Sequence, residues 1–174
     1  MNWNTWQVTL VRSLLEKIIT SQGYHIVEDS RKRVIASKVS LVDTEDTLLF
    51  GVQSVKVEGV KKLKTEDSNY LVTWDNDTNS LSCQCKQAEF SYTCRHRRLV
   101  AKEVYSVNLE QMLRDAIDKL SNADKVSVKD YALTNYKLDI ETIKNKGGII
   151  NVLSAFQRLH LYQVIKSNYG VCGD

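Results

Sequence analysis

The sequence lacks proline and has only seven glycines in 174 residues, so glycine and asparagine must supply most of its turns. It also lacks any apolar run near the eighteen or so residues that a membrane-spanning helix needs. Its first residues do not have the layout of a secretory signal peptide. From these absences we expect a soluble, cytoplasmic protein with no membrane partner.

Motifs of the common enzyme classes are missing as well. There is no glycine-rich phosphate-binding loop and no nucleophile elbow, and the three histidines lie far apart in the sequence. An active site could still form if folding brought together acidic residues that lie far apart in the sequence. The net charge of +3 is too small by itself to indicate nucleic-acid binding, so only local clustering of charge can support that function. We therefore expect a protein without enzymatic activity.

What the sequence does contain is a compact group of metal-binding residue types. Three of its four cysteines and one histidine form the pattern Cys-x-Cys, eight residues, Cys-x-His, made by Cys83, Cys85, Cys94 and His96. Three thiolates and an imidazole form a closed four-ligand set of the kind that a structural zinc ion binds tetrahedrally. Residues i and i+2 of a strand point the same way, which suits the spacing within each pair. Thiolate ligands also persist best in a reducing compartment.

Two other interpretations of these cysteines remain open. A disulfide would leave one of the three thiols unpaired or would have to reach Cys172. Alternatively they are ordinary free thiols, although free cysteines usually lie among apolar neighbours, and polar or basic residues surround these.

The four residues and their setting resemble the SWIM zinc finger, in which a β-hairpin leads to the first ligand pair and a helix follows the second. The resemblance covers roughly residues 50–106, with Asn69–Cys83 in place of the hairpin and Leu99–Val104 in place of the helix. It implies a bound zinc ion. It also implies either DNA binding or protein–protein contact, because SWIM modules are associated with both.

Hydrophobic periodicity predicts an α+β fold with an N-terminal helix, antiparallel strands leading into the zinc module, and a C-terminal helical bundle. The predicted regions are 1–49, 50–106 and 107–174, which could form one compact unit. The two short helices predicted between 127 and 146 also fit a helix-turn-helix, but small bundles give the same pattern. The predicted helices cover residues 4–21, 108–120, 127–136, 139–146 and 149–167, and the predicted strands fall between residues 24 and 82.

Basic and aromatic residues surround the cysteine–histidine pattern. The candidate nucleic-acid contacts are five cations that could bind phosphates and two aromatic residues that could stack on bases: Lys86, Arg95, Arg97, Arg98, Lys102, Phe90 and Tyr92. The alternative is that the cations solvate a helix and offset the charge of the thiolates, while the aromatic rings cover the metal site.

These patterns predict a zinc-binding accessory or regulatory protein that binds nucleic acid, DNA in preference to RNA. The competing hypothesis is an adaptor whose zinc module docks onto a recombinase, an ATPase or a transposase. Binding to nucleic acid at several salt concentrations distinguishes the two, because phosphate contacts weaken steeply as salt rises.

Overall fold

The computed structural model describes residue 23 and the ranges 25–28, 34–42, 47–58, 62–90 and 94–171. Within these ranges, the side chains of 25–28, 34–36, 54–58 and 62–69 are not described. The helix predicted over residues 4–21, Tyr92 and Cys172 all lie outside the described residues. The fold is mixed α+β, as predicted.

Among the described residues, five strands follow one another in both sequence and space. They form a single sheet with the order β1-β2-β3-β4-β5. The first two strands pair antiparallel with His25 opposite Ser37, and the last two pair antiparallel with Val72 opposite Cys83. The strands are β1 His25–Glu28, β2 Val34–Val42, β3 Leu48–Glu58, β4 Lys62–Asp75 and β5 Ser80–Cys83.

The strand β2 includes the polar pair Ser37 and Lys38. The structure has one continuous strand there. Ser37 is fully buried and sits opposite His25 in the β1–β2 ladder, so its polarity does not interrupt the pairing. A small hydroxyl side chain is tolerated within a strand, because the ladder is made by backbone groups.

Six α-helices and one 3₁₀ turn occupy the described part of the chain after β5. The helices are α1 Lys86–Phe90, α2 Arg95–Ser106, α3 Leu109–Asp118, α4 Asn122–Asn135, α5 Ile140–Asn145 and α6 Ala155–Tyr169, and the 3₁₀ turn is Ile149–Asn151.

Side-chain caps set the first residues of the later helices. The side chains of Asn108, Ser121 and Asp139 accept hydrogen bonds from backbone N–H groups in the first turns of α3, α4 and α5. The cap at Ser121 starts α4 five residues before the predicted position. Ser154 forms a reciprocal capping box with Gln157, so α6 starts at Ala155, where the sequence pattern had placed the start at 149.

Backbone contacts divide the chain into two compact units. The first comprises Met1–Leu41 and Phe50–Leu71, and the second comprises Val42–Leu49 and Val72–Asp174. Phe50 and Val52 are buried in the first unit. The predicted division at 49/50 and 106/107 stays a prediction, since compactness does not establish which segments fold independently.

The second unit has its own apolar core beneath the helices. In it α6 packs against α2 and α3, and α2 also packs against β5. Its fully buried side chains include Val72, Trp74, Val100, Leu113, Leu161 and Ile165. None of these six residues belongs to the cysteine–histidine pattern, although Cys94 of that pattern is also fully buried.

The turn of the β4–β5 hairpin forms hydrogen bonds with the helical part of the unit. The Trp74 indole N–H donates to Asn79 Oδ1 at 3.1 Å, and the Ser154 hydroxyl donates to the same oxygen at 3.0 Å. Asn76 Nδ2 donates to the Asn135 carbonyl at 2.9 Å. Asn79 adopts a left-handed conformation with φ 48°, which asparagine tolerates better than most residues. These bonds fix the strand that carries Cys83 relative to α4 and α6.

The helices of the described residues are all too short, or not apolar enough, to cross a membrane.

Candidate metal centre

The first ligand pair lies at the end of the β4–β5 hairpin, as the sequence predicts. Asp75 closes the turn, because its carboxylate accepts from the Asp77 N–H at 2.8 Å and from the Thr78 hydroxyl at 2.9 Å. Cys83 is the last residue of β5, and Cys85 follows two residues later. Cys83 is half-buried and Cys85 is buried, so the hairpin directs both thiols toward the interior.

The second ligand pair begins helix α2. Cys94 is the N-cap residue, with extended backbone dihedrals, and its Sγ accepts a hydrogen bond from the Arg97 N–H at 3.5 Å. His96 lies two residues later, in the first turn of the helix. Cys94 is fully buried and His96 is 7% exposed. The second ligand pair therefore lies in the N-cap and first turn of α2.

The fold brings the four predicted ligands together. One potential ligand atom from each of Cys83, Cys85, Cys94 and His96 lies within 4.8 Å of the others. Cys83 Sγ and His96 Nδ1 are 3.7 Å apart. In a tetrahedral zinc site, bonds of about 2.3 Å to sulfur and about 2.0–2.1 Å to nitrogen place S and N roughly 3.6 Å apart. The cluster therefore fits a metal ion such as zinc after small side-chain movements.

Burial is the largest influence on the pKa values of Cys83 and His96. It raises the pKa of the Cys83 thiol to about 12 and, together with the charge of Arg95, lowers the pKa of His96 to about 4. Burial also opposes ionisation of Cys94, but donors that include the Arg97 N–H outweigh it and hold the pKa of Cys94 below its ordinary value. The imidazole is thus neutral at pH 7, as metal ligation requires, and a bound metal would have to displace the Cys83 proton.

The alternatives left open by the sequence can now be compared with the structure. Cys83, Cys85 and Cys94 are all free thiols. Two of the three are buried, but they face one another and His96, and they are not dispersed through the apolar core. The arrangement is therefore that of a ligand cluster.

The predicted nucleic-acid contacts fall in different environments, and their role stays a prediction. Lys86, Arg98 and Lys102 are exposed, whereas Arg95 and Arg97 are half-buried. Phe90 is 87% exposed at the end of α1 and does not cover the metal cluster. The short helix α1 at 86–90 is not among the predicted helices, and Ala88 N–H donates to the Cys85 carbonyl at its start.

Sequence reasoning missed Tyr105, which is 69% exposed in the last turn of α2. It lies nine residues after His96 and outside the basic run, so proximity in sequence did not single it out. Helical periodicity could have found it, because residues 98, 102 and 105 are separated by four and three positions and share one helix face.

His160, on α6, has a structural role. It is 2% exposed, its Nδ1 is 2.8 Å from the Tyr136 hydroxyl, and its ring lies 5.4 Å from that of Trp74. It is therefore a packed residue, remote in the sequence from the cysteine–histidine pattern.

Comparison with protein-family models, with curated proteins and with solved structures finds no match to this chain. The resemblance to the SWIM zinc finger accordingly rests on the four clustered residues and on their setting between a hairpin and a helix.

Proposed function

We propose that Cys83, Cys85, Cys94 and His96 bind one zinc ion and that this part of the chain is a SWIM-type zinc module. The observation that carries the proposal is the convergence of three thiols and one imidazole within 4.8 Å. Soft thiolates with imidazole favour zinc over magnesium or calcium, which prefer oxygen ligands. Four protein donors leave no coordination position for water, which favours a structural site over a catalytic one.

Zinc in this position would join the hairpin to α2. One pair of ligands lies at the end of β5 and the other at the start of the helix. These two elements already pack against each other, and the metal would add bonds that connect them. The helix α2 also carries four of the five predicted basic contacts, Arg95, Arg97, Arg98 and Lys102. The metal would thereby hold a basic helix in a fixed orientation.

The second part of the proposal is that the module binds nucleic acid, DNA in preference to RNA, as a non-enzymatic accessory or regulatory factor. Arg98 and Lys102 support it, because both are exposed and neither forms an ion pair with any residue that the structure describes. Two other cations of the same unit form ion pairs, Arg114 with Glu110 and Lys137 with Asp77, whereas Lys144 and Lys146 are exposed like Arg98 and Lys102. Cations without protein partners can contact phosphates without losing an internal interaction.

Metal analysis tests the zinc site. The desalted protein should contain about one zinc ion per chain, and Cys94→Ser should lose it. Full zinc occupancy in all four single ligand variants would refute the assignment.

Salt-dependent binding tests the nucleic-acid function. The double variant Arg98→Gln/Lys102→Gln should bind unrelated sequences more weakly, and the log–log salt slope should fall by about 1.8 on duplex DNA or about 1.4 on single strands. Its control is Lys144→Gln/Lys146→Gln, which removes two exposed charges at the end of α5 and should leave the slope unchanged. If the wild type binds no nucleic acid even at low salt, the adaptor hypothesis replaces this one.

A further inference from the structure

The outward face of α2 carries an aligned set of three side chains. Arg98, Lys102 and Tyr105 follow one another at intervals of four and three residues, which places them on one side of a helix. The opposite side is buried through His96, Leu99, Val100 and Val104. We call Arg98, Lys102 and Tyr105 the α2 outer stripe.

Arg95 precedes Arg98 by three residues and lies on the same side of α2, but it is half-buried, and the other charged residues of the helix do not share this face. Arg97 precedes Arg98 by one residue, a rotation of about 100°, and is half-buried beside the packed side. Glu103, the only acidic residue of the helix, is rotated by a similar angle from Lys102 and is also half-buried. The stripe therefore presents two positive charges and no negative charge from its own helix.

Tyr105 gives the stripe an aromatic surface with a defined orientation. Its ring is 69% exposed, yet it meets the Phe156 ring of α6 edge-on, with centroids 6.1 Å apart and planes at 85°. Such a contact restrains the ring while most of its surface stays open to solvent. A restrained, exposed ring can stack on a base with little loss of its own conformational freedom.

We propose that the α2 outer stripe binds single-stranded nucleic acid, with Arg98 and Lys102 on phosphates and Tyr105 stacked on an unpaired base. This inference rests on the proposed nucleic-acid binding and adds to it the strand form and Tyr105. In a duplex the faces of the bases are covered by their neighbours, so a stacking ring selects unpaired bases, whereas cations bind either form.

The charge of the stripe also favours a polyanion over an apolar protein surface. Docking an apolar partner over Tyr105 would desolvate the adjacent Lys102 without pairing it, which is unfavourable. The rise of a helix places the first and last residues of the stripe about 10.5 Å apart. At about 3.4 Å per stacked nucleotide, this length matches a segment of roughly three nucleotides.

Two replacements of Tyr105 separate stacking from packing. Tyr105→Phe keeps the ring, and Tyr105→Leu keeps an apolar contact for Phe156 but removes the ring. Affinities are measured by fluorescence anisotropy with a short oligothymidylate, a short oligouridylate and a mixed-sequence duplex, using the zinc-loaded protein. Urea unfolding of each variant checks that the fold is retained.

We expect Tyr105→Leu to weaken single-strand binding by about 5- to 140-fold and to change duplex binding little, while Tyr105→Phe stays near wild type. Binding to both oligonucleotides would show that the stripe accepts either strand, and binding to one of them would show a preference set by the 2′-hydroxyl or by the thymine methyl group. An equal effect of Tyr105→Leu on single strand and duplex, or no effect on either, overturns this inference but leaves nucleic-acid binding standing. Absence of wild-type binding to all three probes at low salt overturns both.

Discussion

Replacing Cys94 by serine should remove a metal ligand and keep a helix cap, whereas alanine should remove both. The two roles of Cys94, metal ligand and helix cap, can be tested separately because its Sγ accepts a hydrogen bond from the Arg97 N–H at the N3 position of α2. Serine is a preferred N-cap residue, and its hydroxyl oxygen can accept the same hydrogen bond.

The expected magnitudes follow from these two roles. Serine and alanine at an N-cap differ by about 1 kcal/mol, which for a chain of 174 residues corresponds to about 2–4 °C in Tm. Zinc at 100 times its Kd stabilises the folded protein by about 2.7 kcal/mol, or roughly 5–11 °C. In a chelator, Cys94→Ser should therefore melt above Cys94→Ala. With zinc, the wild type should gain more than either variant.

Thermal unfolding followed by circular dichroism, with chelator and with added zinc, measures both effects. Asn108→Ala is the matched control, since it removes the equivalent cap of α3 and has no part in the metal cluster. It should lose about 1 kcal/mol in both conditions and keep its zinc response. A zinc response of Cys94→Ser equal to that of the wild type would refute Cys94 as a ligand. Equal Tm values for the serine and alanine variants in chelator would refute its role as a cap.

Three further predictions concern the fold around the site. Tyr136→Phe should lower the free energy of unfolding in urea by about 1–3 kcal/mol, because it removes the hydroxyl bonded to the buried His160; an unchanged midpoint would contradict this. Chelating the metal should loosen residues 83–100 while most of the helical circular dichroism persists, since buried apolar side chains such as Leu113, Leu161 and Ile165 lie outside this segment; complete unfolding would contradict this. Asp139 accepts two hydrogen bonds from Thr142, which hold its pKa below 3.8, so its contribution to stability should be present above about pH 4 and fade as the pH falls. NMR titration of this carboxyl should give a value below 3.8, and an ordinary value would show that the cap does not form.

Local features of the sequence predicted much of the site. The Cys-x-Cys and Cys-x-His spacings identified all four clustered residues, and the segment Asn69–Cys83 was expected to form the hairpin that carries the first pair. Such features depend on neighbours a few residues apart, so they can be recognised without knowing the fold. Hydrophobic periodicity likewise predicted the α+β class and the later helices, although caps such as Ser121 and Ser154 shifted where α4 and α6 begin.

The sequence by itself determined which residues can bind a metal and the approximate positions of most described helices. Only the tertiary structure decided the distances among the four ligands, the burial of His160 and the sorting of the basic residues into exposed Arg98 and Lys102 and half-buried Arg97. The physical reason is that spacing and capping act within a few residues. Burial and side-chain direction instead depend on the elements packed against each helix, and those elements come from distant parts of the chain.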